Sequence, residues 1–319
     1  MTIKNYLSKT ITLLAATIFS ISSFAQNNEP MFEEIIVTAE KRSESLQDLS
    51  QAVTVLSGID LDNRQISTFV DLSAIAPGVN VAKNEGFKTV ITIRGVGYET
   101  NQNAIATPSV SYHLDGIYVA SPYSLQTDFL DLERIEVLRG PQGTLFGQNS
   151  TGGAINVVTQ APTTDETYGS ADLTVGNHGL LKTRAFINKP ISENLAMRAS
   201  FISNKRDGFT ENLTNGQDLD DADSVSARVR LSYEPSDTFR ANFMAQMFHE
   251  DRNGAAQKGI IDPTPDPRQL RQNSLTEHQL DAELFSAVLE WDRENFSIKS
   301  LTSYQVDDIL VRRDNDRND

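Results

Sequence analysis

The sequence predicts a two-part fold: an α+β domain, built from a small mixed sheet with short helices, followed by antiparallel transmembrane β-barrel strands. The first observation behind this is a change of pattern after Pro162, where about seven segments alternate apolar and polar residues with a period of two. The second is that the connections between those segments alternate between short and long. The third is the stretch from about Val53 to Gln160, where β-branched runs are punctuated by glycine-rich turns.

The N-terminus reads as a secretory signal over residues 1–25. Lys4 and Lys9 are basic, Ile11 to Ser23 is apolar, and Ser23-Phe24-Ala25 makes a small-x-small cleavage site. As a membrane anchor the apolar run is too short for roughly 30 Å of hydrocarbon. No later segment is a continuous apolar run of helical length. Gln26 to Met31 is polar, and Glu33 to Ala39 (EEIIVTA) is a short β-prone run before another polar stretch from Lys41 to Ser50.

In the following domain, Ser57 to Gln65 and Thr68 to Ala76 are expected as short helices, the second stopped by Pro77-Gly78. Strands are expected at Val90 to Arg94, Val110 to His113 with Gly116 to Val119, Ile135 to Leu138, and Ile155 to Thr159. Glycines 140, 143, 147, 152 and 153 are expected to make tight turns and close backbone approaches.

Among the alternating segments, Val225, Ala227, Val229, Leu231 and Tyr233 interleave with Ser226, Arg228, Arg230, Ser232 and Glu234. Residues 195–204, 239–247 and 285–292 behave alike, and 171–175, 181–187 and 296–304 more faintly. Strands of about 10 residues with one apolar and one charged face suit a barrel with lipid outside and water inside. Phe201, Tyr233, Phe239 and Trp291 fall near strand ends, as an interfacial girdle requires. Connections near 190–192, 235–237 and 293–295 are short, whereas 207–223 and 250–281 are long; Gly176 to Gly179 is short where parity asks for a long one. A soluble β-sandwich also alternates, but gives no reason for loop length to follow parity or for arginines to repeat on the polar face.

Composition narrows function. With 43 acidic and 28 basic residues the net charge is −15, contrary to a nucleic-acid binder's basic surface. The absence of cysteine excludes disulfides and thiolate chemistry. The glycine-rich run 140–153 lacks the Gly-Lys-Ser/Thr of a phosphate-binding loop. Asp218, Asp220, Asp221 and Asp223 miss calcium-loop spacing and read as a solvated loop. His113, His178, His249 and His278 show no ligand spacing. No catalytic residue, metal site or cofactor is expected.

The segment Ile91 to Pro162 closely resembles the plug domain of TonB-dependent outer-membrane receptors. The matching pieces are Ile93-Arg94-Gly95, Tyr112 to Tyr118 (YHLDGIY), Leu132 to Gly147 (LERIEVLRGPQGTLFG) and Gly152 to Thr159 (GGAINVVT). The resemblance implies four parts: signal peptide 1–25, TonB box and flexible linker 26–45, plug 46–162, and the first barrel strands over 163–319. It identifies Glu33, Glu34, Ile35, Ile36, Val37, Thr38 and Ala39 with the TonB box, an extended peptide that adds as a strand to the edge of a partner sheet. It implies that Arg94 and Arg139 lock the plug to barrel-wall carboxylates. Substrate is expected from outside, on plug apices including Tyr98, Asn101, Gln102, Asn103, Tyr123 and Gln126, and on the long loops.

The implied function is energised import across the Gram-negative outer membrane, with outer-membrane lipid around the barrel and TonB pulling on the plug, driven by the inner-membrane proton gradient. A ferric siderophore is the expected small-molecule substrate; cobalamin, haem and oligosaccharides stay open. No transducer domain fits between Gln26 and Met31. Two alternatives stand: a passive or adhesive barrel, and a non-functional fragment. A plugged barrel takes about 22 strands, an open edge in lipid leaves backbone groups unpaired, and Asp314 to Asp319 lacks a terminal aromatic. A fragment or truncated reading frame is therefore expected.

Overall fold

The computed structural model of the chain describes residues 36–37, 44–45, 52–84, 88–97, 108–121 and 128–314. The expected signal peptide lies outside the described residues. At the N-terminal end, β1 (Ile36–Val37) pairs antiparallel with β2 (Glu44–Ser45), Ile36 opposite Ser45.

The domain that follows contains β3 (Val53–Ser57), β4 (Val79–Asn84), β5 (Lys88–Ile93), β6 (Val96–Gly97), β7 (Val110–Leu114), β8 (Ile117–Tyr118), β9 (Leu132–Arg139) and β10 (Gly153–Thr159). Five of these form one sheet in the order β3-β9-β10-β7-β8, with β10 parallel to β7 and the other neighbours antiparallel. β4, β5 and β6 make a separate antiparallel sheet. Helix α1 (Gly58–Asn63) is shorter than expected; Ser57 caps it by accepting from the Asp60 N–H at 3.1 Å. The second expected helix is a 3₁₀ turn over Val70–Ala74, with Asp71 accepting from the Ser67 and Thr68 N–H groups. β3, β4 and the short α2 (Gly143–Phe146) were not anticipated from sequence. Nothing stands within 4 Å of a Cβ placed on Gly143, so this glycine opens α2 rather than permitting a close approach. At Gly153, by contrast, a Cβ would lie 2.4 Å from the Leu138 carbonyl oxygen.

Phe69, Leu72, Ile93, Ile117, Ile135 and Ile155 are fully buried and make this domain's core. Phe69 meets Tyr112 and Phe129 edge-on, at ring-centroid distances of 5.1 and 4.9 Å. Two residues of the second region, Met244 and Leu284, belong to the same cluster.

That second region is a seven-stranded antiparallel sheet in sequence order. Its members are β11 (Tyr168–Val175), β12 (Leu181–Ser192), β13 (Leu195–Arg206), β16 (Ala222–Ser236), β17 (Phe239–Arg252), β19 (Glu277–Arg293) and β20 (Phe296–Arg312). Between them, β14 (Thr210–Asn212), β15 (Asp218–Leu219) and β18 (Gln269–Leu270) fold the two long loops into a small sheet of their own. β11 and β20 are edges, so the described sheet is open.

Register keeps the two faces distinct across all seven strands. One row reads Gly169, Ile187, Ala199, Val229, Ala245, Phe285, Tyr304, and the adjacent row reads Tyr168, Asn188, Arg198, Arg230, Met244, Ser286, Ser303. Because a strand's side chains alternate, the first row lies on the outer face and the second on the face that holds the N-terminal domain. Val229 is 42% exposed and Phe285 45%, whereas Arg198 is 3% and Arg228 5% exposed. The two-residue turns are Glu193-Asn194, Asp237-Thr238 and Glu294-Asn295, all at one end, while Gly176 to Leu180 is a short connection at the other. Several strands are longer than expected: β19 begins at Glu277, eight residues before Phe285, because the polar ends continue the ladder beyond the apolar band.

Candidate functional site: the interface between domain and wall

Sequence placed arginines on the inner face of the wall, and each inner strand needs something to compensate them. The N-terminal domain supplies carboxylates and carbonyls from its turns. Asp131 sits just before β9 with a left-handed φ of +50°, a conformation that aspartate tolerates better than most residues. Its carboxylate accepts from Arg198 Nε at 2.6 Å and Nη2 at 2.7 Å, and from the Ser200 hydroxyl. This two-pronged pairing suits a planar guanidinium. Arg198 is held further by donating to the Tyr168 hydroxyl at 2.9 Å and by lying 4.1 Å over the Phe186 ring.

Three residues upstream, Asp128 accepts from Lys182 Nζ at 3.1 Å and from Asn204 Nδ2 at 3.1 Å. Between the two aspartates, the Leu130 carbonyl accepts from Arg228 Nη1 at 2.6 Å, while Arg228 Nε donates to Gln246. Residues 128–131 are therefore held by four basic or amide side chains from β12, β13 and β16.

A second contact lies at the Asp115-Gly116 turn, where both residues have positive φ. Asp115 accepts from the Thr159 N–H and hydroxyl at 2.8 and 2.7 Å. Arg230 of β16 donates to the Thr159 carbonyl and hydroxyl at 2.7 and 2.6 Å, with Asp115 at 3.8 Å. At the exit from the domain, Asn188 donates to the carbonyls of Thr163 and Glu166 and accepts from the Thr163 N–H. Asp62 of α1 meets Arg184 at 2.7 Å in an exposed pair, and Gln305 donates to the Tyr118 carbonyl at 2.7 Å.

Nearer the long loops, Glu250, Arg252 and His278 form a buried set on the inner wall, with Glu250 3.0 Å from Arg252 and 3.2 Å from His278. Lys83 of β4 has its amine pKa lowered, first by desolvation and then by the nearby Arg252, with Glu250 and Asp128 opposing.

Of the residues singled out from sequence, Ile36 and Val37 lie in β1, already paired with β2. Glu33, Glu34, Ile35, Thr38 and Ala39 lie outside the described residues, as do Tyr98, Asn101, Gln102, Asn103, Tyr123 and Gln126. Arg94 occupies the β5–β6 turn with φ +54°, where its side chain is exposed and its N–H donates to the Gly78 carbonyl at 2.7 Å. Arg139 donates to the Thr54 hydroxyl inside its own domain. Neither arginine makes an ion pair among the described residues. Across the described interface the polarity is the reverse of the expected lock: arginine and lysine stand on the wall, aspartate on the domain. The clue available in the sequence was the repetition of Arg184, Arg198, Arg228 and Arg230 on one strand face, which requires counter-charges from whatever the sheet encloses.

Comparison with known proteins agrees with this arrangement. Residues 45–154 match the model of the TonB-dependent receptor plug domain. The pesticin receptor of Yersinia pestis is 28% identical over 298 residues, covering 86% of this chain and 43% of that protein. An iron-regulated outer membrane virulence protein of Vibrio cholerae is 31% identical over 159 residues, covering 47% of this chain and 23% of that protein. The crystal structure of the ferric yersiniabactin uptake receptor from Yersinia pestis superposes with a TM-score of 0.77 at 21% identity, over 86% of this chain and 44% of that one. The ferripyoverdine receptor of Pseudomonas aeruginosa gives 0.72 at 17% identity, over 87% and 37%. The chain thus spans less than half the length of these relatives. Residues 45–154 thus belong to the TonB-dependent receptor plug domain family, and the chain as a whole is similar in fold to outer-membrane receptors that carry such a plug.

Proposed function

We propose that this chain is part of a receptor for energised uptake of a ferric siderophore across the Gram-negative outer membrane, powered through TonB by the inner-membrane proton gradient. The observation that carries the reading is the plug's seat. Its carboxylates and carbonyls are clasped by inward arginines, on a sheet whose other face is a continuous apolar row. A polar interior and an apolar exterior suit a sheet standing in a membrane. A plug held by ion pairs and hydrogen bonds, which water can replace, suits a part that must move. The names of the relatives point to iron chelates as cargo: ferric yersiniabactin for one, ferripyoverdine for another.

In this reading TonB adds as a strand to Glu33–Ala39 and pulls. Because Ile36 and Val37 already pair with Ser45 and Glu44, the partner joins a preformed hairpin or displaces its second strand. Tyr98, Asn101, Gln102, Asn103, Tyr123 and Gln126 would meet the chelate from outside. Arg94 and Arg139 would pair with carboxylates on wall strands other than the seven described. The test is deletion of residues 33–39 in the gene's native context. Uptake of radiolabelled ferric chelate should vanish while its binding to cells persists. Uptake that survives the deletion sinks energised import and favours a passive or adhesive barrel.

A further inference from the structure

A pull on the N-terminal segment must be resisted somewhere, or the plug would leave whole. We propose that residues 128–131 are the fixed point, and that β3 is loaded in shear between the pull and that point. This rests on the reading that force enters upstream of β3.

The geometry is set by register. β3 is an edge strand of the plug sheet, antiparallel to β9, with Val53 opposite Leu138 and Ser57 opposite Arg134. Force arriving from the N-terminal side reaches β3 at Ala52, whose carbonyl accepts from the Arg139 N–H at the C-terminal end of β9. The multiple grip on the wall is at the other end of β9, where Asp128, Leu130 and Asp131 meet Lys182, Arg228 and Arg198, whereas the wall contacts upstream of it, at Asp62, Asp115 and Tyr118, are single ones. Entry and anchor therefore lie at opposite ends of one strand pair. When a ladder is loaded that way its rungs share the force and must fail together, whereas loading at one end opens them singly.

The far corner is also wedged. A Cβ on Gly58 would stand 2.2 Å from the Leu132 carbonyl oxygen, so the end of β3 abuts the start of β9 without space to slip. Beyond the anchor the grip continues, at Thr159 through Arg230 and at Thr163 through Asn188. These contacts define a second stop if the first is lost.

The experiment is single-molecule extension of the refolded full chain. Because the chain has no native cysteine, handles attach uniquely at Ser50→Cys and Glu294→Cys. At about 3.3 Å per extended residue, the first extension should end at residue 131, about 270 Å of chain. In Asp131→Asn combined with Asp128→Asn, the stop should move to Thr159, about 360 Å on the same scale. Arg198→Lys keeps the charge but loses the two-pronged grip, so rupture force should fall at unchanged length. If the double variant does not fold, this milder variant decides, and an unchanged rupture force overturns the proposal. A wild-type first extension running past residue 131 also overturns it, as does a double variant still stopping at 270 Å. Since the handle and not TonB applies the force, these outcomes are separate from TonB recognition, which is read by capture of a TonB domain on Glu33–Ala39.

Discussion

The plug sheet and the wall sheet use the same period-two backbone for opposite ends. In the plug, the apolar faces turn inward on Phe69, Ile93, Ile135 and Ile155, and the carboxylates that meet the wall stand at turns, at Asp115-Gly116 and in the residues before β9. In the wall, the apolar row from Ile187 to Tyr304 turns outward and Arg198, Arg228 and Arg230 line the side that faces the plug. The difference teaches where the energy of assembly sits. Each sheet places polar groups where the other can satisfy them, so the interface is chiefly ionic and hydrogen-bonded, with Met244 and Leu284 as its apolar contribution to the plug core.

The largest effect is expected where this complementarity is buried. Asp131→Ala would leave the Arg198 guanidinium, 4% exposed, without its carboxylate. Breaking a buried pair by removing one member costs about 3–5 kcal/mol. Denaturant unfolding of the plug, followed by amide protection of β9 and β10, should report that loss. A change under 1 kcal/mol, on the order of a surface pair, would show that the wall is not what holds the plug.

A charge on the wrong face of the wall comes next. Val229→Arg places a cation mid-row on the outer surface, where lipid insertion is penalised by about 2–4 kcal/mol at the bilayer midplane. Its neighbour Arg230 faces the plug and has partners, so the comparison is between adjacent residues of one strand. Folding into lipid vesicles should suffer for Val229→Arg and not for Val229→Leu. Equal insertion of both would mean that this face does not meet lipid. Smaller still is Asp62→Asn at the exposed contact with Arg184, expected at about 0.5 kcal/mol or less, since water screens such pairs.

How much of this was legible beforehand follows from how local each feature is. The seven wall strands and their short turns were readable because alternation and turn residues are encoded within ten or so neighbours. The start of β19 was not, because from Glu277 to Glu283 the outer face turns polar, with Glu277, Asp281 and Glu283 in line with Phe285, so the apolar-out pattern that marks the band is lost above it. β3 and β4 escaped notice because a five- or six-residue strand in a mixed domain carries little pattern, and partners decide its state. The contacts of Asp131 and its neighbours with the wall went unread for another reason. Arg94 and Arg139 stand out in the sequence, whereas Asp131 looks like any loop aspartate, and its partner Arg198 is 67 residues away. Only the fold brings that pair together.

The long loop between β17 and β19 offers the mildest contrast, since it belongs to neither sheet's inner face. Asp262 anchors it by accepting from the Thr264 N–H and hydroxyl at 2.9 and 2.6 Å and from the Arg271 N–H at 2.7 Å. Desolvation works to raise its pKa, but these donors and the nearby Lys258 outweigh it and hold the carboxyl below the ordinary 3.8. A carboxylate whose pKa is depressed on folding stabilises the structure above its unfolded value and loses that contribution as pH falls through the folded one. The loop tip, with Ile260 and Ile261 fully exposed, should therefore loosen in acid below about pH 4 while the wall strands do not. Amide exchange at Thr264 and Arg271, corrected for the intrinsic pH dependence, should rise over that range. In Asp262→Asn it should be raised already at neutral pH and lose the acid-dependent step. If the variant retains the same step, another group governs the loop, and the contrast between a braced loop and a clasped plug loses its electrostatic basis.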